Sequence, residues 1–63
     1  MIYKNDTWGD DKHYSFVNNG MGMWTLREFI NRCQKTSLTL NTEEKIIFTQ
    51  RLKENGWYEY IRS

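Results

Sequence analysis

Proline and alanine are absent from this 63-residue chain, and cysteine and histidine occur once each. A lone cysteine, Cys33, excludes an internal disulfide. It also falls short of the two or more thiolates of a typical structural zinc site. A domain this small buries only about 60% of the surface its unfolded chain exposes. Without disulfide staples, a reducing, cytoplasmic setting or assembly with a partner is expected. The start, Met1–Asp11, carries no apolar stretch of signal-peptide length. The longest run of large apolar residues is Ile46-Ile47-Phe48, far short of a membrane span. Nine Lys and Arg against eight Asp and Glu leave a net charge of +1. That balance lacks the strongly basic signature of a typical nucleic-acid binder, and equally the acidic excess of a nucleic-acid mimic.

What the chain does have is aromatic rings: three Trp, four Tyr and three Phe, 16% of its residues. It also leans on residues with A/T-rich codons. Lys, Asn, Ile, Phe, Tyr and Met number 26, against 8 for Gly, Arg, Ala and Pro. In style this resembles short accessory proteins of bacteriophages and proteins of AT-rich bacteria. It is a likeness of composition, carried by no motif.

Periodicity and turn residues predict a single compact α+β domain over residues 1–63. A small antiparallel sheet, made of an N-terminal hairpin and a C-terminal strand, is expected to pack on two α-helices in the order β-β-α-α-β. Residues 2–8 read as a first strand and Gly9-Asp10-Asp11 as a turn. Residues 12–18 alternate, with Tyr14 and Phe16 on one side and His13, Ser15 and Val17 on the other. Asn19-Gly20 is the dipeptide best suited to a two-residue hairpin turn, so Met21–Trp24 is expected to pair back.

Thr25 and Glu28 have the spacing of a capping box, and Trp24 with Phe29 that of a hydrophobic staple. With Leu26, Phe29, Ile30 and Cys33 in one stripe, a first helix is expected from Thr25 to near Lys35. Leu38 and Leu40 then fall in an extended connector. Asn41 and Glu44 repeat the capping spacing and start a second helix, with Ile46, Ile47, Phe48 and Leu52 as its buried arc. Gly56 suits the left-handed position after that helix. Trp57 is expected to pack on Leu52 as in a Schellman motif. Residues 57–62 read as the last strand. If Trp57 faces the helices, Tyr58, Tyr60 and Arg62 face away.

No catalytic constellation emerges. A nucleophile needs a base within reach. His13 reads as a surface histidine, and Cys33 as a small buried hydrophobe on the helix stripe. Asp6, Asp10 and Asp11 read as turn formers, without a calcium-loop spacing. Gly20-Met21-Gly22 is too short for a phosphate loop. The chain is therefore expected to be no enzyme, to use no metal or cofactor and to meet no membrane. It is expected to act as a small regulator or inhibitor that binds a larger protein, in the manner of a phage-type accessory protein acting on a host enzyme or defence system. A homodimer is a further expectation, since an uncovered sheet face or edge invites one.

The expected binding residues are Tyr58, Tyr60, Arg62, Trp8, Tyr14 and Met21, the residue types in which interface energy concentrates. The alternative is a module for single-stranded nucleic acid, stacking bases on Tyr58 and Tyr60 beside Arg62. A helix-turn-helix reading fails twice. The Thr36–Asn41 connector is longer than the usual turn, and Glu43 and Glu44 would set two carboxylates against phosphate.

Overall fold

The computed structural model describes residues 1–61. It contains β1 (Ile2–Lys4), β2 (Lys12–Gly20), β3 (Met23–Ile30), β4 (Cys33–Asn41), α1 (Thr42–Glu54) and β5 (Tyr58–Tyr60). The strands form one antiparallel sheet in the order β4-β3-β2-β1-β5. The expected β-β-α-α-β order with two helices is thereby overturned: one helix packs on a five-stranded sheet.

The segment expected to be the first helix, Thr25–Lys35, is instead a hairpin. Trp24, Leu26 and Glu28 alternate with Thr25, Arg27 and Phe29, and β3 pairs along its length with β2, setting Leu26 beside Phe16. In a helix Leu26 and Phe29 would share a face; in the strand they point to opposite sides. The burial available against β2 outweighs the local capping spacing. Thr25 caps nothing, and its hydroxyl accepts a hydrogen bond from the Asn19 side-chain amide. The chain reverses at Asn31-Arg32, both at positive φ (52° and 67°). The leucine connector continues as β4, with Leu38 beside Leu26 and Leu40 beside Trp24.

The first hairpin is present, but its turn sits two residues beyond Asn19-Gly20. Met21 and Gly22 occupy the positive-φ positions (54° and 73°), closed by the Gly20–Met23 pair. A register shift between Asn18 and Gly20 takes up the difference.

The helix start and end follow the sequence closely. Asn41 Oδ1 accepts from the Glu44 amide at 2.8 Å, and Glu44 Oε1 from the Asn41 amide at 3.1 Å, satisfying two groups that a bare helix start leaves unpaired. At the other end Trp57 N–H reaches Leu52 O (2.9 Å) and Gly56 N–H reaches Lys53 O (3.2 Å), the two bonds of a Schellman motif. Gly56 lies at φ 87°, where a side chain is strained.

The core is small: Tyr3, Phe16, Leu26, Leu52 and Trp57 are buried, with Tyr14, Trp24, Leu40 and Phe48 packed against them. Each fully buried apolar side chain contributes about 2 kcal/mol. The helix lends only one narrow side to this core. Leu52 and Thr49 are buried, whereas Ile46 and Ile47, expected in the buried arc, are about half exposed. Among the described residues no helix is long and apolar enough to cross a membrane.

Candidate functional site

Register and alternation place Tyr3, Tyr14, Phe16, Leu26 and Leu38 on the helix side of the sheet. The other side carries three rows across the strands. One row runs Tyr58, Lys4, His13, Phe29, Gln34; the next runs Tyr60, Ile2, Ser15, Arg27, Ser37; the third is Val17, Thr25, Thr39. The helix lies against β3 and β4 on the far side, so among the described residues this second face has no helix over it. Tyr58 and Tyr60 are 42% and 41% exposed there.

The β1–β2 loop borders this face and ties down its side chains. Lys4 Nζ bonds Asp10 Oδ1 at 2.9 Å and lies 4.2 Å from the centre of the Tyr60 ring. The Tyr58 hydroxyl donates to Asp6 Oδ1 at 3.1 Å. His13 stacks on Phe29, with ring centres 4.7 Å apart and planes 7° from parallel. Ile2, Lys4, Asp10, His13, Arg32 and Tyr60 surround a shallow depression of about 290 Å³.

Proton affinities follow these contacts. The hydrogen bond to Asp10 raises Lys4, and the same bond holds the Asp10 carboxyl below its usual range. Partial burial lowers His13 and the Lys4 charge lowers it further, against an opposing pull from Asp10. The bond to Asp6 raises the Tyr58 phenol. His13 is therefore an uncharged aromatic surface at neutral pH, while Lys4 and Asp10 form an ion pair.

The residues singled out from sequence scatter. Tyr58 and Tyr60 share the open face. Arg62 lies outside the described residues. Tyr14 belongs to the opposite face and meets Trp57 and Phe48 edge-on, with ring centres 4.9 Å and 5.8 Å away. Trp8 stands in the β1–β2 loop, 5.1 Å from Lys12 Nζ. Met21 is at the tip of the β2–β3 turn, wholly exposed. Cys33, expected to be buried on a helix stripe, is exposed at the start of β4.

The structure adds Lys4, His13, Phe29, Arg27 and Arg32 to the open face. The alternation of β2 already put His13, Ser15 and Val17 together. The helical spacing of Leu26, Phe29 and Ile30 gives no sign of Phe29 on this face, where it pairs with His13. Among the described residues no group of His, Cys, Asp and Glu has the arrangement to hold a metal ion. No family model matches the chain, and neither a curated protein nor a solved structure matches it.

Proposed function

We propose that the protein works by binding, and that a larger protein docks on the sheet face opposite the helix. The observation that carries this is the uncovered face itself, which presents Tyr58, Tyr60 and Val17 beside the His13–Phe29 stack and the cations Lys4 and Arg27. Exposed aromatics held in place, Tyr58 by its hydrogen bond to Asp6 and Tyr60 by the Lys4 ammonium, bind at low entropic cost. A regulator or inhibitor of that larger protein is the role that suits so small a domain. The codon skew extends the proposal to a phage-type accessory protein directed at a host enzyme or defence system.

A second reading is favoured by one feature. Flat rings with Lys4, Arg27 and Arg32 around them make a surface on which unpaired bases stack. The near-neutral charge of the chain weighs against it.

One double variant, Tyr58→Ser with Tyr60→Ser, tests both. Its fold should survive, because both side chains lie outside the core. A protein retained by the native chain and lost from the folded variant supports docking on this face; retention by both places the contact elsewhere. Binding of a single-stranded oligonucleotide that falls steeply with salt would replace the first reading by the second.

A further inference from the structure

Among the described residues β4 is a free edge along its nine residues, with β3 as its one neighbour. Exposed edges are ordinarily blunted by lysine, proline or a bulge. Here the lysine, Lys35, and the register shift both fall beside the β3–β4 turn. Beyond them Thr36–Asn41 pairs regularly with β3 and carries no charge. The opposite edge, β5, has only three residues. On the helix side of β4, Leu38 is 49% exposed and Ile47 46%. A groove there is lined by Leu40, Ile47 and Phe48, with Glu44 and Arg51 at its rim.

The geometry points to a second copy of this chain as the occupant, paired antiparallel β4 to β4 about a twofold axis at Thr39. Pairing about that residue sets Leu38 opposite the partner's Leu40 and Leu40 opposite the partner's Leu38. No other centre sets both leucines against leucines. All four then lie on the helix side, where the half-exposed Ile47 and the partly buried Phe48 continue the apolar surface. Lys35, exposed beside the register shift, then lies at the strand end nearest the partner's helix start, whose first turn carries the exposed Glu43 and Glu44. A twofold axis normal to the sheet keeps both helices on one side. The two tyrosine-bearing edges fall at the far ends of a continuous ten-stranded sheet, so the dimer is independent of the docking face proposed above.

Sedimentation equilibrium of the 63-residue chain should give twice its 7.7 kDa mass. Thr39→Lys opposes two lysines across the axis and should return the mass to one copy, with an unchanged circular dichroism spectrum. Lys35→Glu should weaken the dimer, and adding Glu43→Lys should restore it. In a Cys33→Ser background, Thr39→Cys should cross-link with a short bifunctional thiol reagent, because Cβ atoms directly opposed across antiparallel strands lie only about 5 Å apart, slightly beyond the span of a direct disulfide. A single-copy mass at every concentration overturns the proposal. So does a dimer that survives Thr39→Lys and resists cross-linking through Thr39→Cys, and so does one that dissociates on Tyr58→Ser with Tyr60→Ser.

Discussion

The side-chain amide of Asn5 donates to the main-chain carbonyl of Asn55, 3.1 Å away and fifty residues along the chain. Asn5 Oδ1 meanwhile accepts from the Thr7 amide at 2.9 Å. A single buried side chain thus fixes both the β1–β2 loop, which borders the open face, and the carbonyl at the end of α1. Asn5→Leu leaves the Thr7 amide and the Asn55 carbonyl without these partners and should cost about 1–3 kcal/mol. Asn5→Asp should cost a similar amount, since its carboxylate would face the carbonyl oxygen. Urea denaturation reads both, and an unchanged midpoint would refute the linkage.

Arg32 occupies a left-handed position (φ 67°) in the β3–β4 turn, where an asparagine followed by glycine is the favoured pair. Arg32→Gly should raise stability by about 1 kcal/mol. For a domain of this size that is a rise in Tm of about 4–8 °C. Arg32 also lines the depression on the open face. The variant should therefore be more stable yet bind less well, and a gain in both would detach Arg32 from the site.

His13 gives stability a pH dependence of defined sign. Its proton affinity is lowered in the folded protein relative to the ordinary 6.5, so the unfolded chain takes up the proton first. The stabilisation is complete above pH 6.5 and is lost as pH falls through the lowered folded value. Asp10 acts in a separate window, below the usual 3.8 of its carboxyl. Denaturation midpoints measured between neutral and mildly acid pH should slope downward for the native chain and flatten for His13→Gln. Equal slopes would contradict the assignment.

Tyr14 behaves in the opposite sense. Burial, reinforced by the Glu28 carboxylate, pushes its phenol up to about 12. Stability from the neutral phenol is fully present below pH 10 and is lost as pH rises toward 12. Ultraviolet titration should lose a component that ionises near 12 in Tyr14→Phe, while the raised phenols of Tyr3 and Tyr58 remain. Loss of an early-ionising group instead would contradict the burial of this ring.

The two capping-box spacings should separate cleanly under mutation. Asn41→Ala removes a cap with both bonds made and should cost about 1 kcal/mol. Thr25→Val removes only an exposed contact with Asn19 from a β-branched strand position and should stay within about 0.5 kcal/mol. Equal losses in chemical denaturation would mean that the Thr25 spacing has a structural role after all.

This contrast also marks what was legible in the sequence. Asn41, Glu44, Gly56 and Trp57 specify α1 and its end through bonds made within a few residues, and each is found as read. The alternation of β2 places His13 opposite Tyr14, and alternation onward from Trp57 places Tyr58 and Tyr60 on the far face. Thr25–Lys35 has the local spacing of a helix, whereas its state is decided by Phe16 and Val17 across the sheet. Non-local pairing leaves no signature at that spacing. Phe29 was lost to the site for the same reason. Lys4 and Asp10 meet only because β1 ends where its loop curls back, a closure that no periodicity reveals.

The sheet order has a kinetic consequence. β2, β3 and β4 are joined by tight turns and can zip up from local contacts, whereas β5 must find β1 across nearly the whole chain. Long-range closure of this kind comes late in folding. A three-residue edge strand held by one three-residue neighbour is also the first to open. Both tyrosines of the open face ride on that strand. Amides around Tyr58 and Tyr60 should exchange with solvent well before those of β2 and β3, so the surface proposed to dock a partner would also be the part of the fold that a partner stabilises most.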